Sequence, residues 1–171
     1  MLLATLVIEG REVVAAVSSD ASRYQPLGAF AGEPVGGMID LIRRYAGTDE
    51  PPKASGPGRD LAGIEVAPPL RPLRIVMCVG KNYRAHAEEF AGSGFDGSAG
   101  QGGEAVPSAP IIFTKAPDTV VATGEAIRYP ARLSDSIDYE AELAVVIGKG
   151  DAGSPGPSRS TMSSATRSPT T

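Results

Sequence analysis

The strongest constraint on the fold is the segment from Ile137 to Ile147. In an extended chain Glu140, Glu142, Ala144 and Val146 share one face, and Tyr139, Ala141, Leu143, Val145 and Ile147 share the other. Beyond the glutamates both faces are apolar, the pattern of a strand covered on both sides inside a layered sheet. Gly148 then ends the run.

The rest of the chain is also punctuated as short strands with few helices. Leu2 to Val17 predicts a hairpin, with β-branched runs flanking Glu9-Gly10-Arg11 and Gly10 free to take a positive φ. Met38, Leu41, Ile42 and Tyr45 recur at helical spacing, and Gly47 follows as a stop. Residues 48–60 read as a polar Pro/Gly loop, and Ile64 to Val66 as one more short strand. Pro68-Pro69 and Pro72 mark a boundary, because consecutive prolines hold a chain extended. Beyond it Ile75 to Val79 predicts a buried strand. Gly80-Lys81-Asn82-Tyr83 turns the chain, with Asn82 as N-cap of a short helix carrying His86 and Glu89. Ala91 to Pro110 is glycine-rich and reads as a mobile surface loop or, more sharply, a lid. Ile111 to Phe113, followed by Thr114-Lys115, and Ala126 to Tyr129 are further expected strands.

The expected fold class is therefore α+β, mainly β. Three parts are expected: a small N-terminal α+β domain over 1–69, a catalytic part over 70–150, and a tail over 151–171. The tail holds no Leu, Ile, Val or Phe, so it buries too little apolar surface to offset its ordering entropy, and disorder is expected.

Bulk properties exclude several functions. A net charge of −4 without a Lys/Arg cluster argues against nucleic acid as a partner. No apolar run is long enough to span a membrane. The start, Met1 to Leu6, lacks the charged flank of a signal peptide and soon reaches Glu9, so a cytoplasmic protein is expected. The single cysteine, Cys78, rules out an intramolecular disulfide and reads as a small buried apolar residue.

Few residues are placed for chemistry. Glu140 and Glu142 at a strand end would repel each other unless a cation neutralised them, and hard oxygen ligands select Mg²⁺, Mn²⁺ or Ca²⁺. On spacing alone, two glutamates in solvent is the commoner arrangement. His86 is the only histidine, and Glu89 three residues on shares its helix face and can orient the imidazole as a base. Ordinary surface charges on a solvated helix would read the same way. Lys115, after a strand, could aim its ammonium at an anionic substrate or lie at the surface.

Taken in order, three pieces resemble the fumarylacetoacetate hydrolase family: Ile75 to Tyr83 with His86, then Ile111 to Lys115, then Ser136 to Gly148 with its Asp-Tyr-Glu-x-Glu-Leu signature. The resemblance covers roughly Leu73 to Gly150. It implies a partial mixed β-roll, Mg²⁺ or Mn²⁺ held by Glu140 and Glu142, a water-activating dyad of His86 and Glu89, and Lys115 near a small-molecule 2-oxo acid. It also implies a homodimer in full-length relatives. The implied activity is hydrolysis of C–C bonds in acylpyruvate- or fumarylacetoacetate-type substrates through a metal-stabilised enolate, or a related isomerase, decarboxylase or lyase reaction.

The family pattern also requires an acidic metal ligand, an aspartate, well past the glutamate pair. Here Asp151 lies too close to the pair, and Asp118, Asp135 and Asp138 precede it. The Ser/Thr-rich tail reads as a frameshift near Gly150 in a GC-rich gene. The alternatives to the enzyme are thus a catalytically inactive truncated fragment and a plain β-rich interaction module.

Overall fold

The computed structural model describes residues 1–30, 32–46, 52–54, 56–93, 106–133, 137 and 139–148, together with the backbone of a strand at 163–167. The chain divides into two compact units, one made of Met1–Leu70 and Val121–Thr171 and the other of Arg71–Val120.

The first unit is built on a hairpin of β1 (Leu2–Ile8) and β2 (Arg11–Val17), with Ile8 paired to Arg11. Only Glu9 and Gly10 remain in the turn, at φ of 50° and 74°. Two positive φ values match the right-handed strand twist, so the expected Gly10 turn also draws Glu9 into the left-handed region. The short strands β3 (Arg23–Pro26), β4 (Ala29–Phe30) and β5 (Glu33–Pro34) follow, then helix α1 (Met38–Tyr45). β6 (Arg59–Asp60), inside the segment expected to be a loop, and β7 (Glu65–Val66) complete a five-stranded antiparallel sheet of order β6-β3-β2-β1-β7.

Strand alternation gives this sheet two apolar faces. Val14, Leu27, Phe30 and Leu41 of α1 form one buried cluster, flanked by Leu3, Val35 and Met38. Leu6, Ala15 and Tyr24 form the other, flanked by Ile8, Val17, Leu61, Ile64 and Val66. Thr5, opposite Val14 in the β1–β2 register, is also buried, and its hydroxyl donates to the Pro69 carbonyl at 2.9 Å. The proline segment is thereby tied to β1, and a buried hydroxyl is satisfied. Arg44 fixes α1 to the β4–β5 hairpin by donating to the carbonyls of Phe30 (3.1 Å), Glu33 (3.2 Å) and Pro34 (2.6 Å), and it pairs with Asp40.

The same unit contains β10 (Leu143–Ile147), paired antiparallel with β11 (Ser163–Arg167). Two expectations fail here. The strand expected from Ile137 begins only at Leu143, and it is largely exposed rather than covered on both faces. The reason is its setting: β10 lies in a two-stranded sheet, with no third strand among the described residues. Disorder was expected throughout 151–171, yet 163–167 pair along the full length of β10. A ladder of backbone hydrogen bonds needs no apolar side chains from the added strand. Ala126 to Tyr129 forms no strand, and Ile127 is 84% exposed.

The second unit is a two-stranded sheet of β8 (Val76–Gly80) and β9 (Ile111–Lys115) with helix α2 (Arg84–Gly92). β8 was expected to be buried. Instead Met77 is 68% exposed, Cys78 is half-buried and every residue of β9 is exposed. Apolar runs mark these segments as strands, but burial needs a second layer, which a two-stranded sheet does not supply within this unit. Most of the expected lid and the expected helix stop Gly47 lie outside the described residues.

Candidate active site

α2 begins where the β8 strand ends. Lys81 follows Gly80 in the left-handed region (φ 52°), and Tyr83, extended at φ −98° and ψ 125°, takes the N-cap position without a side-chain bond. Asn82 was expected to cap the helix. It lies one residue too early, since the first helical hydrogen bond runs from the Ala87 amide to the Tyr83 carbonyl (2.9 Å).

The helix carries His86 and Glu89 three positions apart, so both project from one face, and both are exposed. Ala87 is the buried residue of α2. The Arg84–Glu88 ion pair, at 3.9 Å and well exposed, adds little to stability. Two residues not singled out from the sequence meet at this site. Phe90, half-buried, lies with its ring centroid 6.2 Å from that of His86, and the Lys81 Nζ sits 5.4 Å from the Phe90 centroid. The available signal was the i, i+4 spacing of His86 and Phe90, which helical geometry turns into a shared face.

Lys115 is the last residue of β9, exposed, and paired with Val76. Gly80, which leads into α2, pairs instead with Ile111. Lys115 therefore lies at one end of the ladder and Gly80, before the turn into α2, at the other, the ladder being about 13 Å long at the usual rise per residue. The helix sets His86 and Glu89 on one face, and the register leaves Lys115 at the far end of β9.

Glu140 and Glu142 belong to the other unit, just before β10 and outside any strand or helix, so the strand expected to carry them begins after them, and both are exposed. Asp138 of the same motif lies outside the described residues. Among the described residues no group of three or more His, Cys, Asp or Glu side chains converges on a metal position. The donor chemistry of the pair suits a hard divalent cation, while two carboxylates alone do not complete its coordination sphere.

A sequence profile described as fumarylacetoacetate (FAA) hydrolase C-terminal matches residues 75–162, just over half of the chain. The chain belongs to the fumarylacetoacetate hydrolase family. All five candidate residues, His86, Glu89, Lys115, Glu140 and Glu142, fall inside that match. Among relatives in this family, an oxaloacetate tautomerase of Bacillus subtilis is 42% identical over 83 residues, covering 48% of this chain and 24% of that protein. A mitochondrial oxaloacetate tautomerase of Arabidopsis thaliana is 40% identical over 74 residues, covering 43% and 27%. A fumarylacetoacetate hydrolase domain-containing protein 2 homolog of Dictyostelium discoideum is 35% identical over 89 residues, covering 52% and 25%. The matched region thus spans about a quarter of the length of these relatives.

A solved structure, the fumarylacetoacetate hydrolase of the psychrophilic Exiguobacterium antarcticum, superposes with a TM-score of 0.59 over 86% of this chain and 47% of that one, at 24% identity. That likeness concerns the fold, which is mainly β in the manner of this family, as expected from the strand pattern. No helix among the described residues is long and apolar enough to cross a membrane.

Proposed function

We propose that this chain carries part of the active site of a metal-dependent enzyme that acts on C–C bonds of 2-oxo acids of the acylpyruvate or fumarylacetoacetate type. Family membership over residues 75–162, which include every candidate side chain, is the observation that carries the reading. Residues 1–69 act as a small accessory domain and 70–150 as the first part of the catalytic domain. The enzyme works in the cytoplasm, and the homodimer belongs to its full-length relatives.

His86 takes a proton from water as that water attacks the carbonyl distal to the 2-oxo acid. Glu89, on the same helix face, orients the imidazole and stabilises its protonated form. Lys115 binds the substrate carboxylate. Glu140 and Glu142 would hold Mg²⁺ or Mn²⁺, which would supply positive charge to the 2-oxo acid oxygens as negative charge builds on them. The C–C bond breaks toward the 2-oxo acid side, and the resulting enolate is protonated at carbon. Products are a carboxylic acid and a shorter 2-oxo acid.

A second reading is isomerisation, favoured by the two relatives named oxaloacetate tautomerases. In that reaction His86 moves a proton between carbon and oxygen of the 2-oxo acid, and no water attacks.

The test is turnover by the purified chain with Mg²⁺ or Mn²⁺, using acylpyruvates for cleavage and oxaloacetate for keto–enol exchange. Cleavage abolished by Glu140→Gln and His86→Ala supports the hydrolase. Exchange without cleavage, lost in the same variants, supports the tautomerase. No metal-dependent turnover of either, with weak metal binding by calorimetry, leaves a non-catalytic member of the family.

A further inference from the structure

We infer that Phe90 is a second positioning residue for the His86 imidazole, beside Glu89, and that Lys81 helps hold Phe90 in place; this deepens the catalytic reading of His86 and rests on it. His86 is exposed, and a base must present one nitrogen along a fixed direction. Phe90, one helical turn on, adds an aromatic contact that narrows the rotamers open to the ring, beside the orienting role of Glu89. Its centroid lies 6.2 Å from that of His86 with the planes at 32°, inside the range of interacting aromatic pairs. Phe90 is itself half-buried, a firmer support than a freely exposed side chain.

Lys81 supports the same ring, its ammonium 5.4 Å from the centroid and within cation–π range. The backbone there is informative. A lysine at φ 52° lies where residues other than glycine are rare, and such strain persists when surrounding contacts over-determine it. The row Lys81–Phe90–His86 thus joins the turn after β8 to the imidazole. Neither Lys81 nor Phe90 needs to touch substrate for this role.

The chain contains one histidine, so its imidazole C–H resonances need no assignment. In the native chain the Phe90 ring current displaces these signals from their free positions. Phe90→Leu is expected to abolish the displacement and Phe90→Tyr to keep it. Lys81→Met is expected to reduce it, and Lys81→Arg to preserve it. Far-UV circular dichroism shows whether α2 survives each change. Should Phe90→Leu unfold the helix, the Lys81→Met and Lys81→Arg pair still decides the matter. Identical His86 signals in native chain, Phe90→Leu and Lys81→Met overturn the inference. Turnover is not read here, so loss of the catalytic reading and loss of the positioning row are separate outcomes.

Discussion

Gly148 packs against Ala46 so closely that a Cβ added to it would lie 3.0 Å from the Ala46 Cβ and 3.4 Å from the Ile42 Cγ2. The segment that follows the Glu140–Glu142 pair is thereby seated on α1. Gly148 has no positive φ, so it is the nearness of the helix, not a turn, that a side chain there would disturb.

Gly148→Val should therefore destabilise the first unit by about 1–3 kcal/mol, the usual cost of overpacking. Gly92→Ala is the control, because a Cβ there meets nothing within 4 Å. Denaturant titration should show a lower midpoint for the first variant and a midpoint equal to or above the native one for the second. Equal midpoints for Gly148→Val and native chain would refute the contact.

Arg44 joins the β4–β5 hairpin to α1 through three carbonyls, and Arg44→Met keeps the aliphatic length but none of these bonds. Hydrogen bonds from a charged donor are worth about 1.5–3 kcal/mol when well shielded, and partial exposure lowers that figure. A loss of about 2 kcal/mol is expected, read as a drop in melting temperature. Arg43→Met, at a position with no such bonds among those described, should shift it far less.

Asp20 gives the acid side of the stability curve. The Ser18 hydroxyl, then the Ser22 amide and hydroxyl, donate to its carboxylate and pull its pKa from 3.8 down to about 2. A depressed carboxyl stabilises the fold above its unfolded value and loses that contribution as pH falls through the folded one. The window runs from about 4 to about 2. Asp40 acts in the same direction, lowered first by the Gly36 amide and then by Arg44. Stability of Asp20→Asn should vary less with pH across that window. An unchanged acid limb would contradict the assignment.

His86→Asn should cut kcat by about 10²–10⁴-fold, the usual contribution of a general base, if cleavage or exchange is observed. Because His86 is exposed, its thermal midpoint should stay near the native value. Stability falling together with activity would mark His86 as structural instead.

Much of the fold was legible in the residues. The β1–β2 hairpin and its turn, α1 and the strands β8, β9 and β10 all announce themselves by period-2 or period-3.6 spacing and by glycine, signals that act within a few residues. Part of the local placement of the candidate side chains was legible too: His86 and Glu89 share a helix face by spacing alone, whereas Glu140 and Glu142, expected on the strand, precede its start at Leu143. Burial was not legible. The apolar runs at 75–79 and 137–147 read as covered strands, yet Met77 and Val145 are exposed.

What the sequence by itself determined is therefore local: which segments extend, which coil, and which residue types stand side by side. Tertiary structure alone decided the rest. It paired 163–167 with β10, placed Lys115 opposite Val76, set Gly148 against α1 and brought Phe90 near both Lys81 and His86. The physical reason is range. Propensity and periodicity are properties of neighbouring residues, whereas register, burial and ring contacts depend on which surfaces meet, and that is settled only when distant segments pack.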